Sequence, residues 1–133
     1  MLNFSVVSAA CERLSATRSI DYKHEDFVQV IREATANRGV DLVLDMIGGD
    51  YIQKNLSVLA VEGRHVSIAT QHGVMAEVNF VSIMGKRLTL TGSGLRPRSV
   101  ADKGAMAAAL RREVWPLLDA GKVKPVIYRT FPL

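Results

Sequence analysis

At 133 residues and 48% apolar content, the chain is sized for one hydrophobic core rather than several. Its net charge of +4 favours acidic ligands over basic ones, yet aromatic residues are only 6% and do not alternate with Arg and Lys, which argues against a stacking platform for nucleic acid. No apolar run is long enough for a membrane span, the opening MLNFSVVSAACERL lacks the basic region of a signal peptide, and the lone Cys11 cannot form an internal disulfide, so a cytoplasmic setting is expected.

In chain order, residues 2–7 (LNFSVV) read as a short strand, with Ser8 able to cap a helical turn through Cys11, Leu14 and Ala16. Residues 18–22 (RSIDY) read as a second short strand. In the following EDFVQVIREATANRG, Phe27, Val30, Ile31 and Ala34 share a helical face, Glu25 and Asp26 suit the positive end of the dipole, and residues 37–39 supply the stop. Residues 40–47 (VDLVLDMI) are almost continuously apolar, broken by Asp41 and Asp45 and halted by Gly48 and Gly49. That is the pattern of a strand buried on both faces of a parallel sheet.

Asp50 and Gln53 then form a capping-box-like pair at the head of a helix over DYIQKNLSVLAVEG, whose stripe is Ile52, Leu56, Leu59 and Ala60 and whose end is Gly63. Residues 64–69 (RHVSIA) are the next strand, and 70–73 (TQHG) a polar loop at its carboxyl end. Residues 78–84 suit a short helix or an irregular segment, while 86–92 alternate Leu88 and Leu90 with Thr89 and Thr91, as an edge or half-buried strand does. After Gly92, Ser93 and Gly94, Ser99 opens a long helix with Met106, Leu110, Val114, Leu117 and Leu118 facing a core. Pro116 bends or divides it and Gly121 caps it. Residues 125–133 (PVIYRTFPL) have strand character. Strands alternating with helices specify an α/β fold with a doubly wound, mostly parallel, Rossmann-like sheet and right-handed crossovers.

In such sheets ligands sit beyond the carboxyl ends of the strands. Residues 22–24, 45–50 and 69–73 gather there, with 92–98 close behind if the last strand is parallel. Any one of these loops is ordinary turn chemistry; their convergence on one rim makes a ligand site, where glycines admit close approach and backbone N–H groups with the Thr70 or Ser93 hydroxyl bind phosphate, ribose or carboxamide. Asp45, inside an apolar strand, either points out at the sheet's end or binds a polar partner. His24, His65 and His72 pair with no acid and nucleophile at a diagnostic spacing, and Arg96 and Arg98 read as surface or as an anion clamp, so no catalytic base is assigned.

Four stretches carry a further likeness: YKHEDF (22–27), GVDLVLDMIGGDYIQKNLSVLAVEGRHVSIA (39–69), KRLTLTGSGLRPRS (86–99) and VWPLLDAGKVKPVIYRTFPL (114–133). Together they resemble the zeta-crystallin-like NAD(P)H quinone oxidoreductases of the zinc-free medium-chain dehydrogenase/reductase superfamily. The resemblance implies a partial Rossmann domain over residues 1–133, without the GroES-like catalytic domain, from an enzyme that binds NADPH and reduces quinones or enones by hydride transfer. It implies that Tyr22, with Lys23, lies by the adenosine 2′-phosphate, and that Met46, Ile47, Gly48 and Gly49 pass the adenine ribose and pyrophosphate. Ile68, Ala69, Thr70 and Gln71 are implied beside the nicotinamide ribose, and Ser93, Gly94 and Leu95 by the carboxamide.

The chain departs from that family in having no GxGxxG phosphate loop, and residues 5–10 hold no base for the 2′-phosphate, leaving Arg13, Arg18 or Lys23 to deputise. Impaired cofactor binding and weak or no turnover by the chain alone are the expectation. In the strand order 3-2-1-4-5-6 the missing first strand is central, so residues 2–7 are expected to move into the gap or two chains to associate. The resemblance also implies a homo-oligomer through residues 87–92. A non-catalytic α/β binding or assembly module is the alternative from another class.

Overall fold

The computed structural model describes residues 4–127 and 129–132. These form two units divided after Ser93. In the first, α1 (Phe4–Arg13) is a helix carrying the half-buried thiol of Cys11. The strand expected over residues 2–7 is therefore helical from Phe4 onward, and residues 2 and 3 lie outside the described residues. Ala9, Ala10, Glu12 and Arg13 are strong helix formers, and with no neighbouring strand to pair with, local propensity decides the segment; it does not fill a gap in the sheet.

Residues 18–22 are likewise not a strand. Side chains here take the backbone groups that a ladder would otherwise use: Glu25 accepts from Asp21 N–H (2.8 Å) and Asp21 accepts from Lys23 N–H (3.1 Å). The turn leads into α2 (Phe27–Ala34), with Asp26 as N-cap accepting from Val28 N–H. Then follow β1 (Val40–Asp45), α3 (Tyr51–Val58), β2 (Leu59–Ser67), α4 (Phe80–Lys86) and β3 (Thr89–Gly92). The sheet is parallel throughout, in the order β1-β2-β3, so β1-α3-β2 and β2-α4-β3 are both crossover units.

The α3–β2 boundary comes five residues earlier than the helical pattern indicated. Leu59 leaves the helix to pair with Val40, and the surplus residues are absorbed where the register jumps from Val40↔Leu59 to Leu42↔Arg64. There Glu62 adopts a left-handed φ of 63°. At the head of α3 the capping box does not form. Asp50 is already helical (φ −61°, ψ −17°), so its side chain makes no cap bond, while Gln53 turns away to accept from Asn79 N–H (2.7 Å).

Leu56, Val58, Leu59 and Ala60 are the buried apolar residues among those described. They sit at the α3–β2 junction, pinned by Lys86 Nζ, which donates to the carbonyls of Ser57 (3.0 Å) and Leu59 (2.7 Å). β1 is not buried on both faces. Val43 and Asp45 share a covered face with His65 and Ser67, whereas Leu42 and Leu44, on the opposite face, are 58% and 60% exposed.

The second unit contains α5 (Val100–Glu113) and α6 (Trp115–Asp119). Ser99 caps α5 by accepting from Asp102 N–H, and the break before Pro116 divides the two helices as that ring requires. Gly121, at φ 66°, closes α6, with Lys122 N–H donating to Leu117 O. The stripe expected to face a core is not buried: Leu110 is 51% exposed, and Leu117 and Leu118 are each 39% exposed. Residues 125–127 and 129–132 form no strand; Tyr128 and Leu133 lie outside the described residues.

Candidate functional site

Past the ends of β1 and β2, the chain stays zipped by backbone bonds. Ile68 N–H donates to Asp45 O (2.8 Å), Gln71 N–H to Met46 O (3.2 Å), His72 N–H to Ile47 O (2.8 Å) and Gly49 N–H to Gly73 O (2.9 Å). Residues 46–49 and 68–73 are thus one double-stranded rim. Ser93 N–H donates to Ser67 O (2.9 Å), carrying the β2–β3 ladder one step beyond β3. Gly94 and Leu95 begin the second unit, where Arg98 N–H donates to Leu95 O.

A cleft of about 550 Å³ opens beside β1, and Tyr22, Met46, Ile47 and Gln71 line it with Tyr51 and His72. Four of the sequence-derived site residues therefore meet around one cavity, whereas Lys23, Gly48, Gly49, Ile68, Ala69 and Thr70 are not in its lining. Phe27 stacks on Tyr51 (centroids 5.7 Å apart, 1° between planes), and His72 meets Tyr51 edge-on at 6.5 Å. Lys54 Nζ lies 5.6 Å over the Tyr51 ring. The wall is apolar and aromatic with polar tips, the composition of a small-molecule site.

Tyr22, 65% exposed, rides on a charged turn. Arg18 donates to Glu25 (2.6 Å), and His24 Nδ1 lies 2.8 Å from Asp21 Oδ2. The His24 hydrogen bond holds the Asp21 carboxyl below its usual range; the Asp21 N–H, followed by Arg18, does the same for Glu25. Arg18 is committed to Glu25.

The centre of the rim is a buried polar cluster that sequence reasoning did not assemble. Asp45 Oδ1 accepts from Ile47 N–H (2.8 Å) and Gly48 N–H (3.3 Å), and His65 Nε2 stands 3.3 Å from Oδ2. The signal available was the period of two in RHVSIA, which sets His65 on the inward face with Val66 outward. The room around Gly48 is not open to a ligand: at φ 72°, its missing Cβ would meet Gly73 O at 2.5 Å.

Residues 14–133 match the zinc-binding dehydrogenase family. The chain belongs to that family, within the medium-chain dehydrogenase/reductase superfamily. A 2-haloacrylate reductase from Burkholderia sp is 32% identical over 127 residues, covering 91% of this chain and 36% of the relative. A quinone oxidoreductase from Pseudomonas aeruginosa is 27% identical over 118 residues, covering 89% and 36%. The Escherichia coli quinone oxidoreductase complexed with NADPH superposes with a TM-score of 0.73 at 25% identity, covering 90% of this chain and 36% of that one. The chain thus spans about a third of the length of these relatives. Among the described residues no three His, Cys, Asp or Glu side chains gather as a metal site. No described helix is long and apolar enough to cross a membrane.

Proposed function

We propose that this part of the dehydrogenase holds NADPH for an oxidoreductase whose substrate is a quinone or an activated alkene (enone). The observation that carries the reading is the cleft at the carboxyl end of β1, where Tyr22, Met46, Ile47 and Gln71 meet. The relatives named as quinone oxidoreductase and 2-haloacrylate reductase support the reaction class, and the NADPH complex of the Escherichia coli enzyme supports the cofactor. When bound, NADPH supplies the hydride.

This chain's residues bind and orient the cofactor. Tyr22 and Lys23 take the 2′-phosphate, Met46 and Ile47 give an apolar wall to the adenosine, and Gly48 and Gly49 turn the chain at the pyrophosphate. The segment Ile68, Ala69, Thr70 and Gln71 borders the nicotinamide ribose. Ser93, Gly94 and Leu95 are assigned to the carboxamide from resemblance alone. The adenosine is assigned to the cleft, but the 133 residues contain no GxGxxG cradle for the pyrophosphate, so affinity is expected to fall below that of a site with one. A cytoplasmic setting fits the single cysteine.

Titrating the chain with NADPH while following nicotinamide fluorescence tests the reading. Saturable binding is expected, tighter for NADPH than for NADH by about tenfold if Lys23 makes a charge-assisted contact, with no appreciable quinone-dependent oxidation. No saturation at millimolar NADPH overturns it. That outcome is the one expected of a non-catalytic α/β binding or assembly module.

A further inference from the structure

A buried carboxylate at the end of a strand is costly unless its oxygens are matched with donors. Asp45 is 3% exposed. Its Oδ1 receives Ile47 N–H at 2.8 Å and Gly48 N–H at 3.3 Å, and Oδ2 receives Gly48 N–H at 3.3 Å. These amides fold residues 46–48 back over the end of β1, which sets the cleft wall that Met46 and Ile47 provide.

Facing Oδ2 from the neighbouring strand is His65, 2% exposed, with Nε2 at 3.3 Å. Among the described residues Nε2 has no hydrogen-bond partner, and the contact is an ion-pair approach rather than a linear bond. A hydrogen on Nε2 avoids setting two buried lone pairs against each other at this distance. The backbone behind it is firm: β2 lies between β1 and β3, and His65 pairs with Val43 on one side and Leu90 on the other. His65 itself does not line the cleft.

We infer that His65 is a positioning residue, its buried Nε2 set 3.3 Å from Asp45 Oδ2 so that the carboxylate keeps the orientation that receives the Ile47 and Gly48 amides and shapes the cleft. Its consequence for a ligand rests on the dinucleotide reading, while the latch itself is a property of the free chain. The geometry also explains why a histidine and an aspartate occupy buried positions on adjacent strands without forming part of a catalytic group.

Two substitutions separate the donor from its bulk. His65→Gln keeps a side-chain N–H able to reach the carboxylate, and His65→Leu fills the space without one. Amide hydrogen exchange of the free protein is expected to accelerate at Ile47 and Gly48 by about tenfold or more in H65L, the scale of a lost bond to a charged group. The Ile68 amide, bonded to Asp45 O at 2.8 Å, keeps its protection. H65Q restores the two loop amides, and NADPH affinity follows the same order, lowest in H65L and recovered in H65Q. Equal exchange and equal affinity in H65L and H65Q would overturn the inference and leave a packing role. Should H65L not fold, His65→Met carries the test in its place: Ile47 and Gly48 losing protection relative to H65Q supports the latch, and equal exchange overturns it. If H65L and H65Q differ in exchange as expected while the wild-type chain binds no NADPH, the dinucleotide reading falls and the latch stands.

Discussion

At Gly48 the backbone has a φ of 72°, and a Cβ there would press on Gly73 O at 2.5 Å and Thr70 Cα at 3.1 Å. Both atoms belong to the opposing half of the rim, so Gly48→Ala forces residues 46–49 and 70–73 apart. It is expected to cost about 1–3 kcal/mol, the range for a side chain in left-handed backbone with a steric conflict, read as a lower urea midpoint. Gly85→Ala is the matched control, since a Cβ there meets nothing within 4 Å and the position lies within α4; it should gain about 0.5–1 kcal/mol. From the sequence, Gly48 and Gly49 look like room left for a ligand. For Gly48 the room is taken by a second loop, a close approach between segments more than twenty residues apart that no local pattern reveals. Asp45 shows the same limit. Its cost inside an apolar strand was legible, but the donors that satisfy it, two amides downstream and a histidine on the next strand, appear only once the strands are paired.

Among the elements, the 18–25 turn carries two carboxyl groups whose titration bears on its stability. Asp21 and Glu25 both have carboxyl groups held below the usual range, by His24 and by the Asp21 amide with Arg18 respectively. A carboxylate with a depressed folded-state pKa contributes stability that is present above its unfolded value and lost as pH falls through the folded one. The turn should therefore be intact from neutral pH to about pH 5 and loosen below about pH 4, where ordinary carboxylates protonate first in the unfolded chain. The amide resonances of Tyr22 and Lys23 report this; Arg18→Ala should move their transition to higher pH, and resonances indifferent to pH down to 2 would refute the account. The start of α2 beside Glu25 and Asp26, and α5 opened by Ser99 and divided from α6 before Pro116, were legible because their determinants lie within a few residues. The strand expected at residues 18–22 was not, since a strand depends on a neighbour and here side chains supply the hydrogen bonds instead. The early end of α3 has the same cause: Leu59 suits a helical stripe and a buried strand equally, and pairing with Val40 settles it.

For the molecule as a whole, the open question is what becomes of its strand edges. β3 has all four residues exposed, and in the three-stranded order it lies at an edge, with β1 at the other. Unpaired N–H and C=O groups on a flat edge favour strand addition, and the buried apolar set of Leu56, Val58, Leu59 and Ala60 is small for the amount of chain it holds. Association through residues 87–92 is the reading that follows from the family resemblance, with two copies of β3 running antiparallel about a two-fold axis. Beside this edge, Glu62 Oε1 accepts from Arg87 Nη2 at 3.0 Å. Sedimentation at micromolar concentration should then give a species of twice the chain mass. Thr91→Lys should shift it to the monomer, because like charges brought together across an antiparallel pair repel. A chain that sediments only as folded monomer, or a T91K variant that dimerises as well as wild type, would remove residues 87–92 from the interface and leave β3 as a short edge protected by its own brevity.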